Sequence, residues 1–161
     1  MTASASLEAL AAELRQKWAP GYRARVSVAP DPARAMEMLA AGAPDGCALA
    51  LYFEGEGPAD DRGLVCDEQL EGRFTLALLA HPGLKERDST LAGTLSLALA
   101  ESLRRFLLRE SAGSGLLDGW RYAGMQSFQL SRGDAPLGGY TLTLTGVYDC
   151  GDDDANNDNE E

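Results

Sequence analysis

Residues 88–110 read DSTLAGTLSLALAESLRRFLLRE, the longest helical pattern in the chain. At 100° per residue, Leu91, Leu95, Ala98, Leu99, Leu103, Phe106 and Leu107 share one broad face. Asp88 or Ser89 supplies a capping side chain. Arg104, Arg105 and Arg109 suit the C-terminal half, where the helix dipole favours cations. Such a helix is about 30 Å long, the width of a small domain. Its apolar face requires a sheet to lie on, and strand-like segments flank it on both sides.

The first of these follow an amphipathic helix over residues 6–18, where Leu7, Leu10, Ala11, Leu14 and Trp18 recur at helical spacing. Pro20-Gly21 ends it. Residues 22–29 then alternate as a half-buried strand, Tyr22, Ala24, Val26 and Val28 against Arg23, Arg25 and Ser27. Asp31-Pro32 starts a second helix with Ala35, Met38 and Leu39 inward, and Gly42 closes it. CALALYFE (47–54) is a continuous apolar run, expected to be a central strand buried on both faces. Residues 55–64 carry glycines, Pro58 and acids without a period and read as a loop. Residues 67–80 alternate as a long strand, more polar in its first half, which suggests a hairpin with 47–54 that protrudes from the core. After the long helix come a Gly/Ser-rich connection (111–119) and a second hairpin, 120–131 with 139–148, turned by the glycines and Pro136 between them.

The expected fold is therefore α+β. It is a single domain over residues 1–150 in the order α-β-α-β-β-α-β-β. The sheet is mostly antiparallel, with the helices packed on one face. Residues 151–161, GDDDANNDNEE, hold six acids and no base, too little apolar surface to order a chain. The net charge of −11 is thus uneven: the body keeps 19 acids against 14 bases, a net −5. That balance disfavours nucleic-acid backbone binding, which depends on Lys and Arg neutralising phosphates. No apolar run approaches the ~20 residues of a membrane span, and the N-terminus lacks a secretory pattern. Cys47, Cys66 and Cys150 are odd in number and widely spaced, as in a reducing cytoplasm.

Catalytic and ligand-binding patterns do not assemble. His81 is the sole histidine and sits in a turn sequence, so it has no partner for a zinc site and is assigned a structural or surface role. No G-x-S-x-G elbow or phosphate loop occurs. Gly113-Ser114-Gly115 follows a helix, with Asp118 where a dinucleotide fingerprint needs glycine. Asp149, Asp153 and Glu160 fall at EF-hand spacing, but Gly151 and Asp154 occupy the wrong positions. Cys47 reads as core filler, Cys66 and Cys150 as inert thiols, and Trp18 and Trp120 as packing anchors. No catalytic residue, cofactor or metal is expected. Leu97 and Leu108 lie on the far side of the long helix in one row with Glu101 and Arg104. Together with Gln69, Glu71 and Arg73 on the polar half of the long strand, they are the candidate oligomer or partner interface.

In this order the elements resemble the tail terminator (tail completion) proteins of long-tailed bacteriophages and related prophages, most of all the Mu-like group. Four stretches carry the resemblance: LEALAAELRQKW; YRARVSVAPDPARAMEML; the pair CALALYFEG and QLEGRFTLALLAH; and the long helix with the closing hairpin that ends in YTLTLTGVYD. It spans residues 6–149 and includes no signature motif. The resemblance implies a structural virion protein without catalysis or cofactor. Such a protein forms a ring, commonly a hexamer, on the head-proximal end of the tail tube. Its implied partners are other copies of itself, the tail tube protein, the head-tail connector protein and, in contractile tails, the sheath. DNA would pass through the channel without specific binding, past six copies totalling 6 × −11 = −66 in formal charge. The implied location is the virion tail, and the host cytoplasm during assembly, with no membrane contact. Another small head-tail joining or adaptor protein, or a secretion-tube component, is the alternative, and a small-ligand-binding domain or minor enzyme a more distant one.

Overall fold

The computed structural model describes residues 3–18, 20, 23–42, 46–58, 69–81, 89–112, 120–132 and 135–149. The elements follow the expected order: α1 (Ala3–Lys17), β1 (Arg23–Val28), α2 (Pro32–Ala41), β2 (Gly46–Pro58), β3 (Gln69–Ala80), α3 (Ser89–Ala112), β4 (Trp120–Arg132) and β5 (Ala135–Asp149). One five-stranded sheet has the order β1-β2-β3-β5-β4. Only β1 and β2 run parallel; the other three pairings are antiparallel. The chain is a single α+β domain. The acidic stretch 151–161 and the connections 59–68, 82–88 and 113–119 lie outside the described residues, as do Tyr22, Asp88, Cys66 and Cys150.

The principal core lies between one face of the sheet and helices α1 and α3. Leu7, Leu10, Ala11 and Leu14 of α1 and Trp18 just after it are all buried there, with Leu49, Leu51, Phe74, Leu76, Leu78, Leu142 and Leu144 of the sheet. Each leucine taken fully from water contributes about 1.5–3 kcal/mol. Trp18 also donates its indole N–H to Ser102 Oγ at 3.3 Å, tying α1 to α3. The inner stripe of α3 differs from expectation at one position. Ala98 is exposed, while Ser96 and Ala100 are buried alongside Leu99, Leu103 and Leu107, and Leu95 and Phe106 pack at the margin. The helix is rolled toward Ser96, whose Oγ accepts the Ala80 N–H at 2.9 Å inside the core. A backbone hydrogen bond at the end of β3 thus places a polar side chain where periodicity expected an alanine. The side chain of Leu91, also expected inward, lies outside the described residues.

The helices do not all share one face. Ala35 and Leu39 of α2 are buried against Ala48, Ala50 and Tyr52 of β2 and Ala77 and Leu79 of β3, the residues alternating with those of the principal core. Strand side chains alternate between faces, so α2 lies on the opposite side of the sheet. The parallel β1–β2 pair needs a crossover, and α2 is that crossover. Asp31 caps it, accepting the Arg34 N–H at 2.7 Å, and Gly42 closes it at φ 25°, donating its N–H to Met38 O. Met38 is only half-buried.

Strand β2 is also longer than expected. It continues through Pro58, paired with β3 as far as Leu70, past an irregularity between Phe53 and Gly55. Backbone pairing with β3 overrides the aperiodic side chains of residues 55–58. Beyond Tyr52 the strand leaves the core, and β5 accompanies the hairpin down to Gln69. On the principal-core side this outer half is covered by aromatics. Phe74 packs on Phe53, Trp120 and Tyr148 with ring centroids 5.4, 4.7 and 6.4 Å away. Cross-strand partners Gly72 and Gly146 make the room: a Cβ on Gly72 would meet Tyr148 and Phe74, and one on Gly146 would meet Trp120.

Candidate functional site

The seven expected interface residues form two groups that face opposite ways. On α3, Leu97 and Leu108 are 36% and 46% exposed, and Glu101 is exposed between them. Arg104 is half-buried, leaning toward the side of Ala100 and Leu107. Arg105, exposed on the outward line, was not singled out by periodicity. It becomes visible once the helix is rolled to bury Ser96. This ridge lies on the principal-core side of the sheet.

Gln69, Glu71 and Arg73 are exposed on the other side. They alternate with Leu70, Gly72 and Phe74, so they share the face of Thr75, Ala77 and Leu79. Helix α2 covers the Ala77–Leu79 end of that face and leaves the Gln69–Thr75 end open. There the neighbouring strands present Glu54 of β2, Gln126 of β4, and Thr141, Thr143, Thr145 and Val147 of β5. Val147 is 43% exposed and sits directly across from Glu71; Thr145 sits across from Arg73. The only large hydrophobics exposed among the described residues are Leu97, Leu108 and Val147, so all three belong to these two surfaces.

The open face forms a shallow hollow of about 400 Å³ over Glu54, Arg73, Thr75, Gln126, Thr141 and Thr143. Arg73 Nε lies 3.2 Å from Glu54 Oε2, a pair exposed enough to be worth under about 1 kcal/mol. Thr75 is buried, and its hydroxyl makes no hydrogen bond of normal geometry. Tyr52 stands beside it. Burial raises the Tyr52 pKa, the neighbouring Thr75 hydroxyl opposes that rise, and the Glu54 charge adds to it. At the outer end, Tyr148 donates its hydroxyl to Glu56, and burial followed by that bond raises the tyrosine above its ordinary range.

Among the described residues lining this hollow, no nucleophile is coupled to a base. His81 is remote from it and buried. Its Nε2 lies 2.7 Å from Leu39 O, a carbonyl that only accepts, so the proton resides on Nε2. The imidazole therefore holds the last turn of α2, and the His81 backbone N–H donates to Gly46 O at 2.7 Å. The role is structural, and the surface location considered for it is ruled out. Cys47 is buried in the core, where burial pushes its thiol up to about 11. Among the described residues no three of His, Cys, Asp and Glu gather as metal ligands, and no described helix is long and apolar enough to cross a membrane. The Asp149–Glu160 spacing, Ser114 and Asp118 lie outside the described side chains.

No protein-family model matches the chain, and no curated protein matches it. The two surfaces are accordingly read on their own geometry.

Proposed function

We propose that this protein is a structural subunit that works by association with copies of itself. It would cap the head-proximal end of a phage tail tube as a ring, a hexamer by resemblance to tail terminators, and join it to the head connector. The observation that supports this reading is the pair of exposed surfaces on opposite sides of one sheet. A patch that meets its own twin gives a closed dimer, whereas two different patches on opposite sides give a head-to-tail contact. Head-to-tail contacts repeat, and they close into a ring when the rotation per subunit divides a full turn. The outer half of β2 suits the tube-facing role: its pairing with β1 stops at Leu51, so an extended segment adds to that edge by backbone pairing as well as by side chains.

The test combines light scattering with electron microscopy. The purified chain is weighed alone and then added to polymerising tail tube protein. The expected result is a discrete ring mass, or rings seated on one end of tubes whose growth has stopped. A chain that remains monomeric in both settings, leaving tube length unchanged, overturns the proposal.

A further inference from the structure

We infer that the head-to-tail contact seats the outer ridge of α3 from one copy on the open sheet face of the next. In that contact Glu101 lies against Arg73, and Arg105 against Glu71. The inference rests on the ring reading above and deepens it by naming the surfaces and their register.

The argument begins with charge order. Along the ridge of α3 the exposed side chains run Leu97, Glu101, Arg105, Leu108. On the open face, strand β3 presents Arg73 and then Glu71, with Val147 beside Glu71 on β5. One surface reads acid then base; the other reads base then acid. The spacing agrees as well. One helical turn separates Glu101 from Arg105 by about 6 Å along the axis. Two strand residues separate Arg73 from Glu71 by about 6.8 Å. With α3 antiparallel to β3, both opposite-charge pairs form at once. Leu108, about 4.5 Å beyond Arg105 along the helix, then lies diagonal to the exposed Val147, which is level with Glu71.

The alternative pairings are poorer. Ridge against ridge, with two α3 helices antiparallel, Glu101 meets Arg105 in both copies, but Val147 and the hollow over Thr75 stay uncovered. Face against face covers Val147 but leaves Leu97 and Leu108 of α3 uncovered. Only ridge on face covers all three large hydrophobics exposed among the described residues.

Arg105→Glu and Glu71→Arg test this without touching the Arg73–Glu54 pair. Each variant alone sets like charges against each other at every contact and is expected to lose the assembled mass in light scattering and native mass spectrometry. Mixed in equal amounts, the two variants alternate. Every contact then regains opposite charges, and the wild-type mass returns. Circular dichroism melts of both variants are expected to match wild type, because both side chains are exposed. Single variants that assemble like wild type, or folded variants whose mixture stays dissociated, overturn the register while leaving the ring reading intact. A wild type that never assembles, in solution or on tubes, overturns the ring reading itself.

Discussion

Single residues decide two junctions of the fold. Gly42 stands at φ 25°, and a Cβ there would collide with the His81 imidazole. The glycine lets His81 reach the Leu39 carbonyl, so the end of α2 and the end of β3 share one small contact. Gly42→Ala is expected to lower stability by about 2–3 kcal/mol, combining a strained backbone with overpacking. Urea unfolding checks this through a lower midpoint at unchanged slope. Cys47 gives a pH dependence. Burial holds its neutral thiol, so the folded pKa of about 11 exceeds the ordinary 9.0. The stability from the neutral thiol is fully present below pH 9 and is lost as pH rises toward 11. The urea midpoint should fall across that window. In Cys47→Ala the decline should be shallower but not absent, since Tyr52 and Tyr148 are raised as well.

Elements show what the sequence could and could not convey. The inner face of α1, the Asp31 cap, the Gly42 stop and both hairpins were legible, because each rests on local periodicity or on a residue with one dominant backbone use. The side on which α2 packs was not read from its own residues. The signal was present in β2: a strand apolar at every position from Cys47 to Tyr52 needs cover on both faces, which excludes three helices on one. The extension of β2 through Pro58 was illegible for a different reason. Its hydrogen bonds go to β3, and backbone pairing leaves no mark on side-chain pattern. The roll of α3 depended on one amide, that of Ala80, seeking Ser96. Of the seven expected interface residues, six are exposed and Arg104 is half-buried; their division between two sides of the sheet has no local signature in the sequence. The same helix supplies a contrast in energies. Leu103→Ala, at a fully buried position, is expected to cost about 2–5 kcal/mol. Leu108→Ala is expected to change monomer stability by less than about 0.5 kcal/mol and to weaken self-association. Thermal melts and light scattering on the two variants separate these effects.

For the whole molecule, the decisive property is that the sheet is clothed unevenly. One side carries α1 and α3, with aromatics over its outer half. The other carries α2 at one end and threonines at the other, β-branched residues that hold a strand without an apolar cover. The order of strands has its own consequence for a growing chain. Strand β5 lies between β3 and β4, so everything up to the end of α3 is made before β3 receives its second neighbour. During that interval the edge from Gln69 to Leu79 offers a row of free amides and carbonyls, half of it beside bare leucines. A ribosome still translating the closing hairpin therefore carries a template that any extended segment nearby can occupy. A chain stopped after Ala112 should keep that vacancy permanently. It should sediment as aggregates, and a synthetic peptide spanning residues 120–149 added during refolding should rescue it. Failure of the peptide to rescue would show that the last two strands act only when covalently attached.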